Sequence, residues 1–241
     1  MAGRYDALRE RVLQANLALG QSGLVILTWG NVSEADRVAG VFAIKPSGVR
    51  YEGMKLEDIV VVSLETGEVV EGRRRPSSDT PTHLHLYRAW EMVGGICHCH
   101  STYATAYAQA CVRLPCLGTT HADTFYGDVP VTRALKAQEI ENAYEDATGA
   151  AIVDAFKKAD PQDVPAVFVR QHGPFTWGVD GMEAFEHALI LEETAHIAHV
   201  QILFGASQTM ALGYPNEGKL DKKLLEKHYM RKHGAAATYG Q

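Results

Sequence analysis

The chain has 241 residues, with 23 lysines and arginines against 29 aspartates and glutamates, a formal charge of −6. That length suits one domain, and 46% apolar residues suffice to bury a core without staples. An acidic balance argues against nucleic acid or an anionic membrane surface as partner, though it leaves room for a local anion pocket. The four cysteines (97, 99, 111 and 116) are too crowded for a disulfide framework. The N-terminus mixes both signs of charge without an apolar stretch, and the longest apolar run, 184–206, is broken by Glu186, His187, Glu192, Glu193, His196 and His199. Neither a leader nor a membrane span is expected, and a cytoplasmic location is.

Helix-like and strand-like patterns alternate along the whole chain. Leu8, Val12, Ala15 and Leu19 share one face and predict a helix over Tyr5–Leu19, with Gly20 and Gly23 as its stop. Short β-rich runs follow at Leu24–Thr28 and Val41–Lys45, then a hairpin of Ile59–Leu64 and Glu68–Glu71 around Glu65-Thr66-Gly67. Pro81 opens a helix running to about Trp90. A strand over Gly94–His100 leads to a helix over Tyr103–Ala110, and a long helical segment spans Ala137–Lys158 with an interruption expected near Thr148-Gly149. The strand Ala166–Arg170 runs into Gln171-His172-Gly173-Pro174, followed by a short strand Phe175–Trp177. The longest helix is expected at Gly181–Phe204, a loop at 205–218, and a last helix at Lys219–Lys232. The pattern predicts one layered α/β domain, residues 1–241, with a largely antiparallel sheet.

Cys97-His98-Cys99-His100 is the strongest local signal for chemistry. Side chains alternate along a strand, so the two histidines face one way and the two cysteines the other. Imidazoles roughly 7 Å apart at Cα can share a metal at about 2.0–2.1 Å from each nitrogen, or can simply be buried strand residues. A mixed Cys2His2 site is excluded by the same alternation. His172, in a turn after a buried strand, and Asp79, before a helix, are the candidates to complete a metal set, although Asp79 taken alone reads first as the cap of its helix. His83 and His85 diverge on their helix, and Glu193-x-x-His196 lacks the second copy a di-metal bundle needs. Gly30-Asn31, Ser47-Gly48 and Ser77-Ser78 are small polar boundary segments whose N–H groups can meet an anion, with Lys45 adding a charge nearby. No P-loop, dinucleotide fingerprint, nucleophile elbow or H-E-x-x-H helix is present.

Together these segments resemble the class II aldolase/epimerase family, and most specifically its pentulose-phosphate 4-epimerase branch. The matching stretches are 27–33 (LTWGNVS), 44–49 (IKPSGV), 65–72 (ETGEVVEG), 76–83 (PSSDTPTH), 118–123 (GTTHAD), 172–178 (HGPFTWG), 228–234 (HYMRKHG) and 239–241 (YGQ). His-x-His with a downstream His-Gly belongs to the wider family, whereas 76–83 and the tail are specific to the epimerase branch. The resemblance implies a layered α/β/α class II aldolase-like fold and one divalent ion per subunit (zinc, with manganese or cobalt as alternatives), held by His98, His100 and His172 with Asp79 at the acidic position. It implies Gly30, Asn31, Lys45, Ser47, Gly48, Ser77 and Ser78 around a sugar phosphate, Asp123 and Tyr239 as acid/base groups, and Thr119, Glu145 and His228 nearby. It also implies a homotetramer with sites between subunits, Asp123 and Tyr239 coming from the neighbour. Cys99 departs from the pattern, standing where a threonine-like residue is expected; with Cys97 it is read as a packing residue.

The implied activity interconverts L-ribulose 5-phosphate and D-xylulose 5-phosphate at carbon 4, a step used in arabinose and in ascorbate-type catabolism. Carbon 4 of a 2-ketose carries no acidic proton, so inversion there requires retro-aldol cleavage of the bond between carbons 3 and 4. The metal stabilises the resulting enediolate, and re-addition occurs to the aldehyde's other face. The carbon 4 oxygen points in opposite directions before and after, so two proton-transfer groups on opposite sides are needed. The alternatives are a class II aldolase of the L-fuculose-phosphate type, which releases its products, and a silent scaffold like the adducin head.

Overall fold

The computed structural model describes residues 3–212, 220–235 and 237. Its helices are α1 (Asp6–Gln21), α2 (Thr80–Ala89), α3 (Thr102–Ala110), α4 (Thr119–Ala122), α5 (Ala137–Ala155), α6 (Gly181–Leu212) and α7 (Lys222–His233), with a short 3-10 turn at Leu56–Asp58. The strands are β1 (Gly30–Asp36), β2 (Val41–Ile44), β3 (Val60–Ser63), β4 (Val69–Glu71), β5 (Gly95–Cys99), β6 (Ala166–Phe168) and β7 (Pro174–Gly178). They form one sheet in the order β4-β3-β2-β1-β5-β7-β6, each pairing antiparallel.

Two cores sandwich this sheet, and strand alternation assigns residues to them. Val32, Val41, Ala43, Val61, Cys97 and Cys99 pack toward α1 and the start of α6. Phe42, Ile44, Val60, Val62, Ile96, Phe175 and Trp177 pack toward α2 and α5. Further along α6, Leu191, Ala195 and Ala198 join the second core.

Most expected elements stand within a few residues of their sequence-predicted bounds, and three do not. Leu24–Thr28 is not a strand. Leu27 adopts a left-handed φ of 57° and the Trp29 N–H bonds the Ile26 carbonyl, so the segment turns and the strand begins at Gly30. The break in α5 falls at Ala143 (φ −159°, ψ 55°), not at Thr148-Gly149. The Thr148 hydroxyl instead donates back to the Tyr144 carbonyl, within the helix. Gly149 serves close packing: a Cβ there would lie 2.5 Å from the His85 Cβ of α2. The expected loop at 205–218 is helical as far as Leu212, continuing α6.

Asn16 ties the first helix to the sheet. Fully buried, it donates to the Val12 and Val32 carbonyls (2.7 and 2.9 Å) and accepts from the Val32 N–H (2.8 Å). Replacing it by leucine leaves two β1 backbone groups buried without partners. Asn16→Leu is expected to cost about 2–4 kcal/mol in urea unfolding; a loss below about 0.5 kcal/mol would contradict this account of the bridge.

Candidate active site

β5 occupies the middle of the sheet, between β1 and β7, and delivers His98 and His100 to one end of it. His98 is buried, stacked on Phe175 (ring centroids 4.1 Å apart), and its Nδ1 donates to the Pro174 carbonyl at 2.8 Å. That bond leaves the Nε2 lone pair directed away from the core. His100 stands one residue past the strand, its Nε2 3.2 Å from that of His98. His172 arrives from a tight turn after β6, in which Gln171 takes a left-handed φ of 59° and the Val169 N–H bonds the Gly173 carbonyl. The Tyr144 hydroxyl lies 3.1 Å from the His172 Nδ1. One nitrogen from each of the three imidazoles falls within 4.8 Å of the others, the one such group among the described residues.

Burial first, then neighbouring imidazoles, lower His100 to about 4 and His172 to about 3. Both rings are therefore neutral near pH 7, the state in which imidazole donates a lone pair to a metal. The donor set fits a divalent cation.

Asp79 sits at the N-cap of α2 yet makes no side-chain cap. Its carboxylate instead accepts from the Asn31 amide at 2.7 Å, and Asn31 also reaches the Ser77 hydroxyl at 3.1 Å. Burial pushes the Asp79 carboxyl up, but His98, His83 and the Asn31 bond together outweigh it and hold the group below its ordinary value. Two loops are zipped together beside it: Ser47 N–H bonds the Arg75 carbonyl and Ser77 N–H the Lys45 carbonyl. Lys45 is buried, 4.8 Å over the Tyr51 ring, with no carboxylate in ion-pair contact among the described residues. Burial alone lowers it to about 8. Such a cation is poised for an anionic ligand.

These groups line one cavity of about 500 Å³: Gly30, Asn31, Lys45, Ser47, Gly48, Ser77, Ser78, Asp79, His98, His100 and His172, with Thr28, Trp29 and Pro46. All four metal candidates and seven of the expected ligand-binding positions are thus brought together. Thr119, Asp123, Glu145 and His228 are not among the lining residues. Asp123, just past α4, is gripped by α7: His228 Nδ1 lies 2.9 Å from Oδ1, and the Arg231 guanidinium donates to Oδ2 at 2.8 Å and Oδ1 at 3.2 Å. Burial raises the Asp123 carboxyl, and Arg231 with His228 more than reverse it, keeping the group ionised. Glu145 is on α5, where its carbonyl accepts from Thr82. Tyr239 lies outside the described residues.

Sequence reasoning missed Trp29, Tyr144 and Arg231. Trp29 stands in the 27–33 motif, just past the run that reads as strand, with nothing local to show that its ring enters the cavity. Tyr144 carries no local signal, because its contact with His172 spans 28 residues. Arg231 stands in the tail motif, 108 residues from the Asp123 carboxylate that gives it a role. Cys97 and Cys99 are free, buried and on the opposite face from His98, as alternation predicts. His83 is fully buried, 2.7 Å from the Ser33 hydroxyl, whereas His85 faces Asp146, so the two do diverge.

Residues 10–199 match the family described as Class II Aldolase and Adducin N-terminal domain. The curated protein named L-ribulose-5-phosphate 4-epimerase UlaF of Salmonella paratyphi A is 49% identical over 235 residues, 97% of this chain and 98% of its own length. The protein of that name from Salmonella typhi is equally similar. Among solved structures, an L-fuculose 1-phosphate aldolase superposes with a TM-score of 0.75 at 27% identity, covering 96% of this chain and 97% of its own. YgbL from Escherichia coli, a putative aldolase/epimerase/decarboxylase, shares the fold at 24% identity and a TM-score of 0.66, over 82% of this chain and 91% of its own.

Two measurements follow from the cluster. His83, His100 and His172 are all held below the ordinary imidazole value, His83 to about 3. Below pH ~6.5 the unfolded chain therefore binds more protons than the folded one, and stability is lost as pH falls from there toward 3. The urea midpoint of metal-free protein should drop between pH 6.5 and 5, above the carboxylate range; a flat profile there contradicts the assignment. Adding zinc or manganese at a hundredfold excess over the dissociation constant should stabilise the protein by about 2.7 kcal/mol, and His98→Asn should abolish the gain.

Proposed function

The chain belongs to the class II aldolase and adducin N-terminal domain family, and we propose that it is a divalent-metal-dependent epimerase interconverting L-ribulose 5-phosphate and D-xylulose 5-phosphate. The carrying observation is the meeting, in one cavity, of a three-imidazole cluster and a buried lysine with no carboxylate partner among the described residues, set between two zipped small-residue loops. The 49% identity across almost the whole chain to the Salmonella epimerases supports the same reading.

His98, His100 and His172 would hold the cation, zinc by preference, with Asp79 as their acidic neighbour. When bound, it supplies Lewis-acid stabilisation for the negative charge that cleavage leaves on the ketose fragment. Lys45 offsets phosphate charge, and the backbone N–H groups around Ser47, Gly48, Ser77 and Ser78 orient the phosphate. Asn31 positions Asp79 and Ser77 toward the sugar. Asp123 and Tyr239 act from a neighbouring subunit of a homotetramer, on opposite faces of carbon 4. Asp123, kept ionised by Arg231 and His228, takes the hydroxyl proton on one face; Tyr239 gives one back on the other. Thr119, Glu145 and His228 flank these groups. Among the described residues no helix is long and apolar enough to cross a membrane.

The structural likeness to L-fuculose 1-phosphate aldolase makes cleavage with product release the competing outcome. Incubation of the metal-loaded protein with L-ribulose 5-phosphate, followed by NMR, should show D-xylulose 5-phosphate. Accumulation of free aldehyde without epimer would overturn the reading. Asp123→Asn should lower kcat by about 100-fold or more.

A further inference from the structure

Among the described residues Trp29 is the one indole or phenyl-type side chain lining the cavity, whose other walls are small, polar or imidazole groups. The residue is 53% exposed and its ring stands beside His100, with centroids 6.4 Å apart. The backbone is bent to present it there. Leu27, a γ-branched residue, sits at a left-handed φ of 57°, and Gly30 at a φ of 133°. On the far side the segment is pinned, because the Tyr51 hydroxyl donates to the Gly30 carbonyl at 2.7 Å. Gly30 itself must be glycine, since a Cβ would come 2.8 Å from the His98 carbonyl oxygen. Left-handed leucine is an uncommon and costly conformation, retained where the surroundings over-determine it, and such positions cluster at ligand sites.

The reaction proposed above sets a requirement this side chain meets. On cleavage the carbon 4 hydroxyl gives its proton to a base, its C–O becomes a carbonyl, and the electron pair of the broken bond stays on carbon 3. The phosphate-bearing aldehyde must then turn its other face to carbon 3 before the bond re-forms, without leaving. A wall of hydrogen-bonding groups would hold one orientation of the carbonyl. An open wall would release the fragment. An indole narrows the cavity with a bulky flat ring, and its only hydrogen-bonding group is a single N–H, with no acceptor and no charge to fix the turning fragment. Resting on that reading of the function, we propose that Trp29 is the specificity-determining residue that retains the cleaved aldehyde phosphate, so that the site epimerises its substrate and does not act as an aldolase.

The experiment measures partition: wild-type, Trp29→Phe and Trp29→Ala proteins, metal-loaded and full-length, each with L-ribulose 5-phosphate. Epimer is followed by NMR and released aldehyde by chemical trapping, with thermal unfolding and solution mass measured in parallel. The half-exposed position of Trp29 predicts unchanged folding. Trp29→Ala should raise released aldehyde per epimer formed by at least about tenfold, the scale of one altered pocket contact, with Trp29→Phe in between. An unchanged ratio overturns the proposal, whether turnover is kept or lost in equal measure. So does a change in solution mass accompanied by loss of all cleavage, which would assign the indole to assembly. Failure of the wild-type protein to form epimer refutes the proposed function instead, so the two failures are distinguishable.

Discussion

β5 is flanked by β1 and β7 in the middle of an antiparallel sheet, and both of its faces are covered. Within Cys97-His98-Cys99-His100, the two-residue alternation of a strand sends the thiols into the α1 core and His98 toward Phe175 and the cavity. A shift of one residue in register would exchange these faces. It would bury imidazoles against α1 and offer cysteines to the site. Register is therefore a chemical constraint as well as a packing one, and it is enforced by pairings such as Asn31 with His98 and His98 with Phe175. The same pairing brings Asn31 alongside the imidazole, which in turn places Asp79 and Ser77.

Around that strand, polar order is built from bonds between distant segments. Asn16 holds α1 to Val32, and the Pro174 carbonyl fixes the His98 tautomer. The loops at 45–47 and 75–77 exchange backbone bonds, setting Lys45 beside small residues. The bonds of Asn16 and His98 satisfy buried polar groups that would otherwise cost about 1–3 kcal/mol. Stability and site geometry thus share the same bonds. Lys45 is a buried cation with no carboxylate partner among the described residues; its ammonium donates to the Pro46 carbonyl at 3.4 Å and lies over the Tyr51 ring, and an anionic ligand would offset its charge.

A second polar cluster lies apart from the cavity lining. Asp123 is locked by His228 and Arg231, both from α7, and His233 reaches its carbonyl at 3.0 Å. Such a grip orients a carboxylate and keeps it ionised, features suited to proton abstraction. Its place beyond the lining of its own subunit's cavity accords with the proposal that the site is completed by a neighbouring copy.

Much of this was legible in the residues themselves. Apolar periodicity located α1, the Glu65-Thr66-Gly67 turn the β3–β4 hairpin and Pro81 the start of α2, because each of these signals is local. Alternation separated His98 and His100 from the cysteines, and the motif at 76–83 pointed to Asp79. Tertiary structure alone decided that Asp79 bonds Asn31 and does not cap its helix, a contact across 48 residues. It also decided that Leu24–Thr28 turns, since a left-handed leucine is dictated by what surrounds it and not by propensity. Tyr144 on His172 and Arg231 on Asp123 have the same origin. Spacing along a chain reports which face a side chain occupies; which partner stands on that face is set only when distant segments pack.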